Sequence, residues 1–220
     1  MGMNIRKSYD SELHQVKMSI VDMGSKVGEA LTEVLAAFQT NDKEQLDAVI
    51  KNDDKINQLE LAINDTVTLM IAKQQPVATD LRTLIVALKM ASDLERIADL
   101  AVDLAKTSKR LERSKGHEEW YKQLYAIGED TKVMYSRALD GYEQGDVLQA
   151  QKIAALDDHV DQKYGEFIKG LFFQSTEPQQ TKEMVHLAFI GRYLERIADY
   201  ATNIAEWIVY EANGQHFDLN

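Results

Sequence analysis

The sequence predicts an all-α protein of six long helices, arranged as two tandem three-helix bundles. Apolar residues recur at spacings of three and four, which is typical of amphipathic helices, and almost no segment alternates with period two. Only two prolines and eleven glycines interrupt the 220 residues. Helices of roughly 25–35 residues with short connections between them pack as antiparallel bundles.

Turn residues and helix caps divide the chain into these six helices. Asp42 stands where it can cap the second helix, and each proline is placed to open a new helix after a polar stretch. In chain order the breaks fall at Thr40-Asn41-Asp42, Pro76, Ser114-Lys115-Gly116, Gly141 to Asp146, and Pro178 preceded by Ser175-Thr176-Glu177.

An internal repeat sharpens this division. The segment Leu94–Asp99, LERIAD, recurs unchanged as Leu194–Asp199. The earlier helices of the two halves align at a spacing of 104, which places Asp42 over Asp146 and Asp53 over Asp157. A period of this kind indicates a duplicated structural unit. The sequence therefore predicts two repeats, residues 1–114 and 115–220.

Composition and charge exclude several classes of function. The chain has 36 acidic and 25 basic residues, a net charge of −11, which argues against a nucleic-acid partner. The absence of cysteine excludes disulfides, thiolate metal sites and thiol catalysis. The longest apolar runs, Val34–Phe38 and Leu84–Leu88, are far shorter than the ~20 residues of a membrane span. The N-terminal residues lack the apolar stretch of a signal peptide, so we expect a cytoplasmic protein.

Acidic residues in the repeated helices are the candidate functional groups. Glu95 and Asp99 are four residues apart and share one helix face, as Glu195 and Asp199 do. That face continues a stripe that begins with core leucines. The preceding helices supply further pairs at the same spacing, which are Asp157 and Asp161 in the second repeat and Asp53 and Asn57 in the first.

Like charges that converge on an inner surface need protonation, arginine partners or bound cations. Carboxylate and amide oxygens suit hard cations such as Mg²⁺, Ca²⁺ and Mn²⁺, with iron a further candidate, and do not favour zinc or copper. The alternative is that Arg96 and Arg196 form ordinary surface ion pairs with Asp99 and Asp199. Exact repetition of the segment favours a shared binding role. The pair Asp53 and Asn57 is the weaker one, because it holds a single acid.

Other chemistry finds little support in the sequence. Glu183 and His186 form a Glu-x-x-His element of the type used twice in ferritin-like di-iron sites, but its counterpart in the first repeat is Thr83 to Val86. We therefore interpret it as structural, and His159 as at most a minor ligand. No phosphate-binding glycine loop, nucleophile elbow or Ser/His/Asp arrangement is present.

The two copies of a Leu-Glu-Arg-Ile-small-Asp motif, a hundred residues apart in an acidic six-helix chain, resemble the PhoU family. The upstream patterns Asp53-Asp54-Lys55-Ile56 and Asp157-Asp158-His159-Val160 extend the resemblance over essentially the whole chain. It implies two three-helix bundles, a homodimer, and a negative regulator of phosphate uptake and phosphate-starvation signalling. Its implied partners are the ATPase subunit of the phosphate ABC transporter and a membrane sensor histidine kinase, which place the protein at most peripherally on the membrane.

The resemblance also implies metal ions on Glu/Asp-x-x-x-Asp motifs, either iron or other divalent or trivalent cations such as Mn or Mg. Asp103 and Asn203 could add oxygens one helical turn further along. Asn57 departs from the acid that the family motif has there, so we expect the Asp157 side to bind cations better than the Asp53 side. The residues that the motif assigns to metal are Glu95, Asp99, Glu195, Asp199, Asp157, Asp161 and, less firmly, Asp53.

Three functions follow from these observations. The first is a non-catalytic regulator that acts by protein contact, alone or through bound metal. The second is a helix-bundle carboxylate–metal enzyme with redox or hydrolytic activity. Oxidation of Fe²⁺ by O₂ at catalytic rates would support this function. The third is a plain helical scaffold, which predicts that amide replacements of the repeated acids change nothing.

Overall fold

The computed structural model describes residues 2–173, 178–217 and 219, and within them it is built from α-helices alone. This confirms the predicted all-α class. The helices of this part of the chain are α1 (Gly2–Thr40), α2 (Lys43–Gln74), α3 (Ala78–Arg110), α4 (Glu118–Gln144), α5 (Val147–Gln151), α6 (Ile153–Phe172) and α7 (Pro178–Asn213).

Two aspartates begin corresponding helices in the two halves. The Asp42 carboxylate accepts hydrogen bonds from the backbone N–H of Glu44 at 3.0 Å and of Gln45 at 3.1 Å. Asp146 accepts from the backbone N–H of Gln149 at 3.0 Å. A side-chain oxygen at this position takes up N–H groups that have no partner within the helix. The predicted cap at Asp42 is confirmed, and Asp146 repeats it.

The helix boundaries depart from the prediction in two places. The fifth predicted helix is divided into α5 and α6 at Lys152, whose backbone stays in the right-handed helical region (φ −81°, ψ −11°). The third helix ends at Arg110, before the predicted Ser114, because Leu111 is extended (ψ 121°) and its side chain is buried. The predicted break at Ser175-Thr176-Glu177 lies outside the described residues.

The helices pack as two three-helix units that share one core. Helices α1, α2 and α3 contact one another, as do α4, α6 and α7, and the units meet through α3 against α7 and α1 against α4. Both contacts between the units are antiparallel. Thr83 at the start of α3 donates a hydrogen bond of 2.9 Å to Glu211 at the end of α7. A Cβ built on Gly24 of α1 would lie 2.5 Å from Leu139 near the end of α4.

The outer helices of the two units are α2 and α6. Within the described residues, α2 contacts only α1 and α3, and α6 contacts only α4, α5 and α7. The buried apolar side chains nevertheless form a single cluster that runs through both units. The α2/α3 and α6/α7 faces therefore lie at the flanks of the molecule.

A buried carboxylate fastens the connection between the two units. Glu183, 2% exposed, accepts hydrogen bonds from the Ser114 backbone N–H at 3.0 Å and from the Tyr121 hydroxyl. Its second oxygen lies 2.9 Å from His117 Nδ1. The Arg113 guanidinium lies over the Tyr121 ring at 4.6 Å from its centroid. Because a buried carboxylate needs several donors, these contacts account for Glu183 as a structural residue.

Candidate metal centre

The second repeat brings its predicted acids together where α6 meets α7. We call Asp157 and Asp161 of α6, with Glu195 and Asp199 of α7, the second-repeat cluster. One carboxylate oxygen each from Asp161, Glu195 and Asp199 lie within 4.8 Å of one another. The spacing of four places the two acids of each pair on one face of their own helix, and the packing of α6 against α7 brings the two faces together. Three of the four predicted acids of this repeat therefore lie close together, whereas their binding of metal stays a prediction.

Burial and mutual repulsion shape the electrostatics of this cluster. Asp157 is only 6% exposed, and burial together with the charges of Asp161 and Asp199 raises its pKa to about 6. The nearby Thr202 hydroxyl lowers that pKa in part, without making a hydrogen bond of good geometry to the carboxyl. Burial, then the charge of Asp199, raises the pKa of Glu195 to about 7. The pKa of Asp199 is also raised, first by burial and then by Asp161.

One arginine compensates only part of this negative charge. Arg192 donates a hydrogen bond to Oε1 of Glu195. The other oxygen of Glu195, Oε2, is buried and has no hydrogen-bond partner, and the same holds for Oδ1 of Asp157. Buried carboxylate oxygens without donors are costly, and a cation would offset that cost. The donor set, which consists of oxygens alone, fits a hard divalent or trivalent ion.

The first repeat builds the corresponding group differently. We call Asp53 and Asn57 of α2, with Glu95 and Asp99 of α3, the first-repeat cluster. The Asn57 amide donates to Oδ2 of Asp53 at 3.2 Å, and Arg96 donates to Asp99 at 3.2 Å. Burial raises the pKa of Asp53, and the Asn57 hydrogen bond lowers it again in part. The ion pair between Arg96 and Asp99 is the ordinary surface contact considered as the alternative interpretation.

Carboxylate oxygens in the first repeat are more dispersed. Burial, followed by the charge of Asp99, raises the pKa of Glu95, and Oδ1 of Asp53 is buried without a hydrogen-bond partner. In the described part of the chain, three ligand atoms within 4.8 Å are found in the second-repeat cluster alone. Asp103, the suggested extra ligand, lies 3.9 Å from the ammonium of Lys106.

Histidine takes no part in either cluster. His159 lies on α6 with its Nε2 3.8 Å from Asp130 of α4, an acid that also accepts from Lys163. His186, the partner of Glu183 in the Glu-x-x-His element, has its pKa lowered mainly by burial, and its Nδ1 has no hydrogen-bond partner. The element is therefore not a metal-binding pair, because Glu183 is occupied by the connection between the units.

Two residues near the clusters were missed by the sequence reasoning. The charge of Glu60 contributes to the raised pKa of Glu95, and Tyr164 has its own pKa raised by burial and by the charge of Glu195. Both occupy the same repeat position, three residues after Asn57 and after Asp161 respectively. Both positions would have been identified by following the acidic faces of α2 and α6 for three more residues along the sequence.

Fold and site together define a class of protein: a tandem repeat of three-helix units, each with a carboxylate cluster between its last two long helices. The sequence model of the PhoU domain matches residues 20–108 and 124–208, and the chain belongs to the PhoU family.

Relatives of known name cover nearly the whole chain. It is 33% identical over 217 residues to the phosphate-specific transport system accessory protein PhoU homolog of Clostridium acetobutylicum, which covers 98% of this chain and 99% of that protein. It is 32% identical to the phosphate-specific transport system accessory protein PhoU of Escherichia coli K12, covering 99% of this chain and 90% of that protein.

Solved structures agree with the fold. The crystal structure of PhoU from Pseudomonas aeruginosa superposes with a TM-score of 0.89 at 30% identity and covers 94% of this chain and 100% of that one. The phosphate transport system regulatory protein PhoU from Streptococcus pneumoniae gives 0.88 at 31% identity, with 96% and 99% covered. Among the described residues, no helix is long and apolar enough to cross a bilayer.

Proposed function

We propose that this chain is a negative regulator of phosphate uptake and of phosphate-starvation signalling, and that it acts by protein contact without catalysis. The observation that carries this proposal is its similarity, over 98–99% of its length, to proteins named as accessory to the phosphate-specific transport system. Membership of the PhoU family over both repeats supports the same role.

The partners in this proposal are the ATPase subunit of the phosphate ABC transporter and a membrane sensor histidine kinase. The chain would meet both in the cytoplasm, as a homodimer and at most peripherally bound to the membrane. When phosphate is plentiful, the contact would hold the kinase in a state that favours its phosphatase activity. The net charge of −11 supports protein partners over nucleic acid.

Metal ions belong to the proposal as ligands of the carboxylate clusters. The second-repeat cluster offers four carboxylates, two of them with a buried oxygen that has no hydrogen-bond partner. The first-repeat cluster offers three carboxylates and an amide. Iron, manganese and magnesium all accept such oxygens. A bound cation would neutralise acids that now repel one another and so fix α6 against α7.

An enzyme built on the Glu-x-x-His element is not favoured by the geometry. Glu183 is buried, and its two oxygens already contact Ser114, Tyr121 and His117. A carboxylate held in this way is not free to bind a redox metal. Glu183 of the Glu-x-x-His element therefore connects the two units as a structural residue.

Alkaline phosphatase activity in phosphate-rich medium tests the regulatory proposal. A strain that lacks its own copy of this gene would be complemented with wild type or with a variant carrying four neutralising changes. These changes are Glu95→Gln, Asp99→Asn, Glu195→Gln and Asp199→Asn. The control carries the same charge change on exposed acids outside both clusters, namely Glu119→Gln, Glu143→Gln, Asp22→Asn and Asp65→Asn.

We expect wild type and control to repress the phosphatase and the cluster variant to leave it derepressed. Repression by the cluster variant equal to wild type would show that the carboxylates do not carry the signalling role. If wild type itself fails to repress, the regulatory proposal is wrong. Circular dichroism of the purified cluster variant separates loss of function from loss of fold.

A further inference from the structure

Tyr164 lies on α6 beside the second-repeat cluster and belongs to none of the repeated motifs. It follows Asp161 by three residues, so the two side chains lie on one face of the helix. Side chains in an α-helix lean toward its N-terminus, so the Tyr164 side chain is expected to lean toward the turn of α6 that holds Asp161. The Tyr164 hydroxyl makes no hydrogen bond to another described residue, and burial and the charge of Glu195 raise its pKa.

A glycine on the facing helix makes room for this ring. A Cβ built on Gly191 of α7 would lie 3.1 and 3.2 Å from Cε2 and Cδ2 of Tyr164. Gly191 precedes Glu195 by four residues, one helical turn. The aromatic ring therefore packs on α7 one turn away from a cluster carboxylate, at a point where an added Cβ would require the ring to shift by a few tenths of an ångström.

The first repeat has a different pair of residues at these two positions. Glu60 stands in the place of Tyr164, and the fully buried Ala91 stands in the place of Gly191. Glycine is an unfavourable helix residue, about 1 kcal/mol worse than alanine. Its presence at 191 is accounted for by the tyrosine ring, so the two exchanges belong together and mark a specific difference between the clusters.

Building on the metal-binding role proposed above, we propose that Tyr164 is a phenolate ligand for ferric iron in the second-repeat cluster. A phenol gives up its proton to solvent when it binds a strongly acidic cation: Tyr–OH and Fe³⁺ yield the iron phenolate and H⁺, with no change in oxidation state. The phenolate adds one anionic oxygen to a carboxylate set that already suits hard ions. Tyrosine is an established protein ligand of ferric iron in haem enzymes.

This assignment gives the two repeats different cation preferences. The second-repeat cluster gains a ligand whose charge appears only when a cation strong enough to displace the phenolic proton is bound. Trivalent iron does this far more readily than Mn²⁺ or Mg²⁺. Beside the first-repeat cluster, the carboxylate of Glu60 stands at the position of Tyr164; it needs no such displacement and also suits divalent ions.

Visible absorption of the iron-loaded full-length protein tests this proposal. Wild type, Tyr164→Phe and the control Tyr210→Phe would each be loaded with ferric citrate, desalted, and measured for iron by elemental analysis. Tyr210 stacks on His216 at 4.1 Å, eleven residues beyond Asp199 on the same helix. Resonance Raman spectra excited in the visible band identify phenolate ring modes in wild type without any substitution.

We expect a phenolate-to-iron charge-transfer band in wild type and in Tyr210→Phe. The Tyr164→Phe protein should lack the band and bind Fe³⁺ at least about tenfold more weakly, with Mn²⁺ affinity changed by less than about twofold. A band that persists in Tyr164→Phe, or iron bound by wild type without phenolate modes, would overturn the tyrosine assignment and leave metal binding intact. Failure of wild type to bind any iron or Mn²⁺ would instead contradict the metal-binding role itself.

Discussion

Leu94–Asp99 and Leu194–Asp199 are identical segments, yet the helices that face them are not. In the first repeat, α2 offers Asp53 and Asn57, joined by a hydrogen bond of 3.2 Å. In the second, α6 offers Asp157 and Asp161, and Asp161 raises the pKa of Asp157 by its charge. Where the first repeat has the Asn57 amide, the second has the Asp161 carboxylate, one of three carboxylates that converge within 4.8 Å.

The difference shows that a repeated motif does not fix the property of a site. The motif carboxylates of α3 and α7 have the same sequence, but their electrostatic environment also depends on the opposing helix and on neighbours outside the motif, such as Arg192. An amide donates a hydrogen bond and carries no charge, whereas a second carboxylate can only accept and repel. The second-repeat cluster should therefore be stabilised more by a bound cation than the first-repeat cluster.

Neutralising the second-repeat cluster should have the largest effect. In the double variant Asp161→Asn/Glu195→Gln we expect the tightest Mn²⁺ or Fe³⁺ affinity to fall at least about a hundredfold, since loss of even an outer-shell partner costs about 10–100-fold. Isothermal titration calorimetry measures it. The matched variant Asp53→Asn/Glu95→Gln should change the tightest affinity by less than about threefold. The reverse order would show that the first repeat holds the stronger site.

Stability of the metal-free protein should fall as pH rises. The pKa values of Asp157 and Glu195 rise on folding, from 3.8 to about 6 and from 4.5 to about 7. Between these values the folded state binds more protons than the unfolded state, so the free energy of unfolding decreases with pH. The contribution is fully present below about pH 4 and is lost above about pH 7; at about 1.4 kcal/mol per pKa unit, each of the two shifts amounts to about 3 kcal/mol.

Thermal unfolding with a chelator present measures this effect. Between pH 5 and pH 8 the two groups together lose about 4 kcal/mol, which corresponds to a decrease in Tm of about 8–16 °C for a chain of this size. The variant Asp157→Asn/Glu195→Gln should lack that part of the decrease. An equal decrease in the variant would mean that other groups cause the pH dependence.

Completing the first repeat should bring the two clusters closer together in affinity. The substitution Asn57→Asp removes the amide donor and adds a fourth carboxylate, so we expect the cation affinity of the first repeat to rise about tenfold. Titration in the Asp161→Asn/Glu195→Gln background isolates that repeat. Without metal the same substitution should destabilise the fold by about 1 kcal/mol, because Asp53 loses its hydrogen bond and gains a like charge. If the cation affinity of the first repeat does not change, the Asn57 amide is not the cause of the difference between the two repeats.

Substitutions at Gly191 and Tyr164 should have the smallest effect on the free energy of unfolding. The sign of the effect of Gly191→Ala should depend on the residue at position 164. Gly191→Ala places a Cβ about 3.1 Å from the ring, and overpacking of about 1–3 kcal/mol should outweigh the gain of about 1 kcal/mol in helix propensity. In a Tyr164→Glu background, which copies the first repeat, the same change should stabilise by about 0.5–1 kcal/mol. Urea unfolding of the four proteins gives the cycle, and the same sign in both backgrounds would show that ring and glycine are not coupled.

The sequence alone was sufficient for the fold class and for the pairing of acids on each helix. Apolar spacing, the cap at Asp42 and an exact internal repeat are properties of the local sequence, and the starts of α2 and α7 and the positions of the repeated segments follow from them. The spacing of four between Glu195 and Asp199 likewise fixes their common face, because helix geometry requires it.

Tertiary packing alone decided which of these faces meet. Three contacts join residues of different segments. Asp161 lies close to Glu195 and Asp199, and the Tyr164 ring packs on Gly191. Glu183 is hydrogen-bonded to Ser114 and contacts His117. Helical periodicity determines the angle of a side chain on its own helix but not the rotation and height of the neighbouring helix. Those are set by how the apolar side chains of the shared core interlock, which is a property of the whole chain.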